Sequence, residues 1–383
     1  MTKKHKYTLK PLLITLLLSV LSIEYSYASV PPDSLFRTVL FQPGDFHSAY
    51  YRIPAIITTR QGTLVATADK RKFSNGDLPE DIDVVVTRSS DGGTTWEAPI
   101  TIAKGEGRGR GYGDCALVQS SHSGTLFALF AGGCGFWEST AEQPIRIFQS
   151  SSNDDGATWS EPRDITPFIY GTECKDSVRR NWQGAFIASG NGLEISNGRL
   201  LFVAAVREDV HNPYATSNFV IFSDDNGISW SVSQRAAVGG DEAKVVELDD
   251  GTILMSIRCA GQRRFNRSGN HGATWQEHTG TWSDLVAPAC NGDIIRYEMP
   301  VAPAFLLHSL PSGSQRDSVT VYLSPDQGKT WPIHRCVAPY ASAYSSLCVL
   351  PNGKIGLLVE EAEDGTDRYS IVFYRFPLDW LLR

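Results

Sequence analysis

Short apolar segments with β-branched residues and alternating positions recur along the chain, and turn residues separate them. Clear examples occupy residues 82–87, 200–205, 219–223, 252–257, 319–323, 354–359 and 370–376. No window carries a helical period of useful length. The pattern therefore predicts an all-β fold built from short strands.

Five copies of one turn sequence, Ser-x-Asp-x-Gly-x-Thr-Trp or a close variant, follow these strands. The copies are SSDGGTTW (89–96), SNDDGATW (152–159), SDDNGISW (223–230), SGNHGATW (268–275) and SPDQGKTW (324–331). In such a turn motif an Asp or Asn side chain can cap the turn, Gly accepts a positive φ, and Trp can pack under a neighbouring strand. Strand groups that repeat every 45–70 residues or so predict a β-propeller, with a β-sandwich as the alternative. The motifs belong at the rim of such a fold, so they indicate architecture rather than chemistry.

The first 28 residues have the features of a secretory signal peptide. Four lysines accompany an apolar run at 12–21, and Ser26-Tyr27-Ala28 fits the small-x-small pattern of a cleavage site. The apolar run is too short to span a bilayer comfortably, although a retained anchor is the alternative. The sequence therefore predicts a signal peptide at 1–28 and a single propeller domain at 29–383. It also predicts export to the periplasm or the extracellular space, with no integral membrane segment after signal removal.

The charge balance of the chain is acidic. The formal net charge is −7, and removal of residues 1–28 would leave 31 basic and 41 acidic side chains, a net charge of −10. An acidic chain without Lys/Arg clusters argues against a nucleic-acid partner. Local arginines could still bind an anionic substrate against this global field.

The cysteines have no CxxC spacing, so we expect no metal site. Their number is odd, which in an exported chain leaves at least one thiol unpaired or paired to another chain. The spacing leaves the pairing open. The seven are Cys115, Cys134, Cys174, Cys259, Cys290, Cys336 and Cys348.

The sequence Tyr51-Arg52-Ile53-Pro54, followed by the turn motifs, resembles the sialidase superfamily, and in particular bacterial exo-α-sialidases (neuraminidases) with Asp-box repeats. The resemblance extends from Tyr51 to the closing segment at 370–376. It implies a six-bladed β-propeller and a single catalytic domain. It also implies a glycoside hydrolase that removes terminal sialic acid from glycans.

Members of this superfamily bind the substrate carboxylate with three arginines from separate blades. The matching residues are Arg52, Arg258, which lies sixteen residues after Glu242, and Arg316, which precedes the last turn motif. A planar guanidinium pairs with a carboxylate through two parallel hydrogen bonds and stays charged at any working pH.

The resemblance implies that Tyr344 is the nucleophile and that Glu242 is its base. A carboxylate nucleophile would repel the substrate's own carboxylate, whereas a neutral phenol approaches without that cost. The glutamate then takes the phenol proton as charge develops, and tyrosine nucleophiles are a known exception to the usual carboxylate pair. Glu247, on the same stretch as Glu242, is the alternative base.

The implied acid/base is Asp77, in Asn75-Gly76-Asp77-Leu78-Pro79, twelve residues before the first turn motif. Its Gly and Pro neighbours suit a lid-like loop. Partial burial against a bound sugar would raise the pKa of Asp77 and allow it to carry a proton. Asp81 and Asp83 are alternatives, and the strand alternation around Asp83 predicts that it faces solvent.

Three further residues have supporting roles by resemblance. Arg71 matches an arginine on the O4 side of the sugar, and Asp114 matches an acid on the same side, although Cys115 replaces the usual proline after it. Glu360 matches the carboxylate that orients Arg52. Phe136 and Trp137 are candidates for an apolar pocket around the N-acetyl methyl group, with core packing as the alternative.

Together these matches imply a retaining exo-α-sialidase that acts on sialylated glycans and needs no metal or cofactor. A monomer is expected. Three alternatives stay open: a trans-sialidase or anhydro-product sialidase, a hydrolase for a related 2-keto sugar acid, and a non-catalytic glycan-binding propeller. The full set of tyrosine, glutamate, aspartate and three arginines argues against the last of these.

Overall fold

The structure, a computed structural model, describes residues 35–383, and the predicted signal peptide at 1–28 lies outside this range. Within it the chain forms short strands with very little helix. The strands are β1 Phe36–Phe41, β2 Tyr50–Thr58, β3 Leu64–Arg71, β4 Ile82–Ser89, β5 Ile100–Ala103, β6 Gly111–Gln119, β7 Leu126–Gly133, β8 Arg146–Ser152, β9 Arg163–Asp164, β10 Gly184–Ile187, β11 Gly190–Asn191, β12 Leu193–Glu194, β13 Leu200–Arg207, β14 Ser217–Ser223, β15 Ser231–Val232, β16 Ala237–Val238, β17 Ala243–Glu247, β18 Ile253–Ile257, β19 Ala260–Ser268, β20 Gly280–Pro288, β21 Asp293–Tyr297, β22 Phe305–Pro311, β23 Asp317–Ser324, β24 Ile333–Val349, β25 Ile355–Ala362 and β26 Ser370–Phe376. The helices are α1 Thr166–Ile169 and α2 Leu378–Leu381, with 3₁₀ turns at Asp45–His47 and Arg179–Asn181.

The all-β prediction is confirmed, and each segment predicted to be a strand belongs to one. The segment at 370–376 coincides with β26, the segment at 200–205 lies within β13, and the segment at 354–359 overlaps β25 from residue 355. The two helices have four residues each. Among residues 35–383, no helix has the length and apolarity needed to cross a bilayer.

The strands form five sheets in a propeller-like arrangement. Each sheet is largely an antiparallel meander of consecutive strands, such as β2-β3-β4-β5 and β17-β18-β19-β20. First strands of successive strand groups contact one another, as β2 does with β6 and β17 does with β21, and β2 also contacts the long strand β24. These first strands therefore surround a common centre, and the later strands of each sheet lead away from it.

The largest sheet has seven strands, because one long strand belongs to two groups. β24 has 17 residues; its first part pairs with β23 and its last part with β25, and the two pairings meet at Ala341. At the far edge, β1 pairs antiparallel with β26. The first strand of the described chain therefore belongs to the sheet formed by its last six strands, and this pairing closes the fold.

The turn motifs adopt one hydrogen-bonded conformation. In the first, the Ser89 hydroxyl donates to Asp91 Oδ1 at 2.8 Å and accepts from the Gly93 N–H at 2.8 Å. Asp91 also accepts from the Thr95 N–H at 2.9 Å and from the Thr95 hydroxyl at 2.7 Å. Gly93 has a φ of +85°, a value that glycine adopts without strain. The Trp96 indole N–H donates to the Gly93 carbonyl at 3.2 Å.

Each turn motif packs against the preceding group of strands. Trp96 meets Phe373 of β26 edge-on, with ring centroids 5.4 Å apart, and a Cβ at Gly93 would lie 2.1 Å from that ring. Later motifs repeat this contact, since a Cβ at Gly227 would lie 2.7 Å from Phe127 of β7. The motif glycines thus allow close contact between successive strand groups, whose buried Val, Ile, Leu and Phe side chains fill the space between them.

Candidate active site

A pocket of about 240 Å³ opens near the centre of the propeller-like arrangement. Four of its eight charged or phenolic side chains lie on or directly before the first strand of a sheet, namely Arg52, Asp114, Asp241 and Glu242. Its walls contain all three predicted arginines and the predicted acid, base and nucleophile. The lining residues are Arg52, Ile53, Asp77, Leu78, Asp114, Phe136, Trp137, Ile145, Phe186, Asp241, Glu242, Arg258, Arg316 and Tyr344.

Tyr344 and Glu242 form a direct pair on one wall of the pocket. The Tyr344 hydroxyl donates to Glu242 Oε2 at 2.5 Å, and Arg258 Nη1 donates to the same carboxylate oxygen. Arg258 Nη1 also lies 2.9 Å from the Tyr344 hydroxyl. Burial raises the pKa of Tyr344 well above its ordinary value, the Glu242 anion raises it further, and Arg258 opposes both. Tyr344 is therefore a neutral phenol with a proton acceptor in place.

Three guanidinium groups surround the Tyr344 ring. Their carbon atoms lie 5.6 Å (Arg52), 6.0 Å (Arg258) and 5.5 Å (Arg316) from the ring centroid. Three cations around one aromatic ring make a local cluster of positive charge in a pocket whose other charged lining residues are carboxylates. An anionic group is the natural counter-charge for such a cluster.

Glu360 holds Arg52 and Tyr344 relative to one another. Its Oε1 accepts from Arg52 Nε at 2.7 Å and from the Ile53 N–H at 2.6 Å, and its Oε2 accepts from the Tyr344 N–H at 3.2 Å. Glu360 is fully buried on β25, between β24 and β26. It therefore acts as a fixed anchor between one arginine and the tyrosine.

Asp77 lies at the mouth of the pocket and pairs with Arg71. Its Oδ1 lies 2.7 Å from Arg71 Nη2, and its side chain is 76 % exposed. Desolvation in the pocket raises the pKa of Asp77, but the positive charges of Arg71, Arg52 and Arg316 outweigh this effect and bring the pKa below its ordinary value. These charges thus favour an ionised Asp77 carboxylate.

Two further carboxylates accompany Arg71. Asp69 Oδ2 lies 3.2 Å from Arg71 Nη2, and Asp69 Oδ1 accepts from the Asp114 N–H at 3.1 Å. Burial raises the pKa of Asp69 to about 7, against the opposing effect of Arg71. Burial also raises the pKa of Asp114 well above its ordinary value, and the charge of Asp69 adds to this. One cation thus faces three carboxylates, which favours retention of a proton in this group.

The alternative acids and the alternative base lie away from the pocket. Lys72 Nζ pairs with Asp81 and Asp83 at 2.8 Å each, and Asp83 Oδ1 also accepts from the Gly105 N–H at 2.8 Å. The prediction that Asp83 faces solvent is wrong, because these contacts allow the residue to be only 4 % exposed. Glu247 hydrogen-bonds with Ser196 and lines a different cavity.

An apolar wall of the pocket contains both aromatic candidates. Phe136 packs edge-on against Phe186 at 4.8 Å and against Trp137 at 4.9 Å. The Arg207 guanidinium lies 5.7 Å from both the Phe136 and Trp137 ring centroids. Trp137 is 57 % exposed, so its ring is available to a ligand. These residues, with Leu78, form a surface suited to a small apolar substituent.

Sequence reasoning missed several residues of the site. Asp69 could have been found, because it lies two positions before Arg71 on β3 and alternate strand residues share a face. Asp241, whose Oδ2 lies 3.3 Å from Arg258 Nε, also had a local signal, since it precedes Glu242. Tyr369, whose ring centroid lies 5.2 Å from the Arg52 guanidinium, had none.

Among residues 35–383 there is no group of three or more His, Cys, Asp or Glu side chains arranged to hold a metal ion. All seven cysteines are unpaired. Cys290 is buried, and burial raises its pKa to about 12. It is therefore a neutral, packed thiol.

Comparisons with known proteins agree with this geometry. Residues 62–357 match the BNR repeat-like domain family. The chain is 31 % identical over 379 residues to Sialidase-2 of Cricetulus griseus, an alignment that covers 90 % of this chain and 96 % of the relative. This chain belongs to the sialidase superfamily, a family of glycoside hydrolases.

Other sialidase relatives are longer than this chain. The sialidase of Micromonospora viridifaciens is 31 % identical over 355 residues, which cover 86 % of this chain and 52 % of the relative. The sialidase of Bacteroides fragilis is 29 % identical over 344 residues, which cover 83 % of this chain and 61 % of the relative. The chain thus spans between half and two thirds of the length of these two relatives.

Solved sialidase structures share the fold. A Hadza microbial sialidase superposes with a TM-score of 0.80 at 28 % identity, over 90 % of this chain and 69 % of that one. A leech intramolecular trans-sialidase superposes with a TM-score of 0.78 at 18 % identity, over 91 % of this chain and 71 % of the leech protein chain. The second likeness concerns the fold alone.

Proposed function

We propose that this chain is an exo-α-sialidase that hydrolyses terminal α-ketosidically linked sialic acid from glycans with retention of configuration. The observation that carries the proposal is the contact between the Tyr344 hydroxyl and Glu242 Oε2 inside a ring of three guanidinium groups. A carboxylate bound by these arginines would hold the adjacent anomeric carbon close to the phenol oxygen. The same anion would repel a carboxylate nucleophile but not a neutral phenol.

In the first step the Tyr344 oxygen forms a bond to the anomeric carbon as the glycosidic C–O bond breaks. The phenol proton passes to Glu242, and the leaving oxygen takes a proton from Asp77. Arg258, which contacts both Glu242 and Tyr344, stabilises the negative charge that develops on the phenol oxygen.

In the second step water attacks the anomeric carbon and gives its proton to Asp77. The Tyr344 oxygen departs and regains its proton from Glu242. Two displacements at one carbon retain its configuration. All groups return to their initial protonation states, so no cofactor is needed to close the cycle.

Asp77 must hold a proton for the first step, whereas the surrounding arginines bring its pKa below the ordinary value. Arg52 and Arg316 are among the cations that lower this pKa. A substrate carboxylate would neutralise them, and the sugar would exclude water from Asp77. Both effects raise the pKa of Asp77, so the substrate itself would prepare the acid.

Architecture and location belong to the same proposal. We count the seven-stranded sheet as two four-stranded blades that share β24, which with the other four sheets makes a six-bladed β-propeller. The pairing of β24 with β23 and then β25 supports this division. The predicted signal peptide supports export to the periplasm or the extracellular space, followed by action as a monomeric single domain.

Product analysis by NMR with an aryl α-sialoside tests the proposal. The α-anomer of free sialic acid should appear first and then mutarotate. An anhydro sugar would identify the intramolecular alternative, and a sialylated acceptor, when one is supplied, would identify a trans-sialidase. A related 2-keto sugar acid released in preference to sialic acid would change the substrate class. Glycan binding without any product would leave a non-catalytic propeller.

A further inference from the structure

A buried polar column continues from Glu242 into the interior of the protein. Lys244 lies in β17, two residues after Glu242, which directly precedes the strand. Lys244 is 2 % exposed. A Cβ at Gly190 would lie 2.9 Å from Lys244 Cε, so this glycine leaves the space that the lysine side chain occupies. A lysine buried this deeply needs a specific reason to be there.

Lys244 is connected to Glu242 through two intervening side chains. Lys244 Nζ lies 3.3 Å from Asn291 Oδ1, and Asn291 Nδ2 donates to Ser189 Oγ at 3.1 Å. Ser189 Oγ in turn lies 3.5 Å from Glu242 Oε1. Glu242 Oε2 contacts Tyr344 and Arg258, so the two carboxylate oxygens have separate partners.

The direction of these hydrogen bonds follows from the chemistry of the groups. An ammonium group has no acceptor, so the Asn291 amide must turn its oxygen to Lys244 and its nitrogen to Ser189. The Asn291 amide nitrogen donates to the Ser189 hydroxyl oxygen. The hydroxyl hydrogen of Ser189 can therefore be donated to Glu242 Oε1. All donors therefore point from the cation to the carboxylate. Such chains polarise their members and strengthen each bond.

We propose that Ser189, Asn291 and Lys244 are positioning residues that keep Glu242 ionised and directed at Tyr344, and thereby set the lower pH limit of the reaction. This inference rests on the proposed function, in which Glu242 is the base. A donor to Oε1 stabilises the carboxylate form of Glu242. It also prevents rotation of the carboxylate away from the phenol.

The hydrogen-bonded series from Lys244 to Ser189 reaches one oxygen of the Glu242 carboxylate, and other residues contact the second oxygen. Arg258 and Tyr344 contact Oε2. The neighbouring titratable groups from other elements are Asp114, Arg263 and Cys290, and Asp241 directly precedes Glu242 in the chain. The groups that face Lys244 are Glu242, Asp293, Arg263, Asp114 and His308. Asp293 is held by the Leu347 N–H and by Asn191 Nδ2, both at 2.7 Å. Ser189 thus provides the donor at Oε1.

The test compares pH profiles of kcat/KM on an aryl α-sialoside between pH 4 and 8. Ser189→Ala should lower kcat about five- to tenfold with KM within about twofold, and should move the acid limb upward by about half to one pH unit. Asn291→Asp keeps the shape and the contact with Lys244 but cannot donate to Ser189. It should move the acid limb in the same direction.

Ser309→Ala is the matched control. Ser309 is a fully buried serine whose hydroxyl lies 2.8 Å from Ser345 Oγ, so its loss removes one buried hydrogen bond outside the column. The acid limb of the pH profile of Ser309→Ala should coincide with that of the wild type. Unshifted acid limbs in both Ser189→Ala and Asn291→Asp would overturn the inference while an active wild type upholds the proposed function. A wild type without activity on any sialoside would instead overturn the proposed function and this inference with it.

Discussion

Glu242 and Tyr344 lie 102 residues apart in the chain, yet the Tyr344 hydroxyl donates to Glu242 Oε2 at 2.5 Å. Glu242 directly precedes β17, and Tyr344 lies in β24, a strand of a different sheet. The contact therefore depends on the packing of several sheets around one centre.

Replacement of Tyr344 by Phe should abolish normal turnover and leave the fold intact. The substitution removes the phenol oxygen that we propose as the nucleophile and retains the packed ring. Activity on an aryl α-sialoside and far-UV circular dichroism measure the two effects.

Tyr374→Phe is the control for Tyr344→Phe. Tyr374 is another buried tyrosine that donates to a buried glutamate, with its hydroxyl 2.5 Å from Glu361 Oε2. It does not line the pocket, so its loss should leave kcat almost unchanged. Wild-type turnover by Tyr344→Phe would rule out the nucleophile assignment.

Arg258→Lys should be severe although the charge is kept. Arg258 uses Nε and Nη1 to contact the Ala289 carbonyl and Glu242, and an ammonium group cannot reproduce this fork. We expect kcat/KM to fall about thirty- to a hundredfold, which corresponds to about 2–3 kcal/mol of lost transition-state stabilisation. Arg235→Lys, in an exposed pair with Glu208, should have little effect. A fall of less than about tenfold for Arg258→Lys would exclude Arg258 from the three arginines proposed to bind the substrate carboxylate.

Site residues that belong to a local sequence motif could be predicted from the sequence. Contacts between segments that are distant in the chain could not. Arg52, Arg258, Arg316, Tyr344 and Asp77 each have a local pattern, and all five line the pocket. The column formed by Lys244, Asn291 and Ser189 joins segments more than 40 residues apart, and none of the three has a motif of its own.

The errors have the same physical origin. Alternation predicted a solvent-facing Asp83, but Lys72 and the Gly105 N–H satisfy its charge in the interior. The sequence also did not indicate that one strand, β24, continues from pairing with β23 to pairing with β25. Pairing partners depend on tertiary structure, which strand propensity does not encode.

Stability should fall as pH rises from about 4 to about 7 because of Asp69. Its folded-state pKa is raised to about 7, whereas an unfolded aspartate titrates at about 3.9. In this window the folded chain keeps a proton that the unfolded chain releases, so the free energy of unfolding decreases with pH. The largest slope from one such group is about 1.4 kcal/mol per pH unit.

Chemical denaturation of wild type and Asp69→Asn at several pH values between 4.5 and 7.5 measures this effect. The variant cannot titrate at this position, so its stability should depend less steeply on pH. Asp91→Asn is the control: burial is absent there, and hydrogen bonds with Thr95 lower the pKa of Asp91 to about 2. Its slope in this window should match the wild type. Equal slopes for wild type and Asp69→Asn would contradict the raised pKa.

Asp77→Ala should separate substrates by their leaving group. A glycan leaving group needs a proton as the glycosidic bond breaks, so its hydrolysis should fall about 10²–10⁴-fold. An aryl leaving group departs with little help, so its cleavage should fall less than about tenfold. The decisive quantity is the ratio of aryl to glycan rates, which should rise in Asp77→Ala and stay at the wild-type value in Asp81→Asn and Asp83→Asn. Lys72 holds both of those carboxylates away from the pocket.

Glu242→Ala provides the contrast that assigns the acid. Its loss removes the acceptor for the Tyr344 proton, which every substrate requires, so both rates should fall together and the ratio should stay constant. Asp77 lies at the pocket mouth and forms an ion pair with Arg71, so its removal could also loosen Arg71 and weaken binding of any sialoside. That purely positional role would lower both rates equally and raise KM. Such a result would show that Asp77 orients Arg71 and that another group protonates the leaving oxygen.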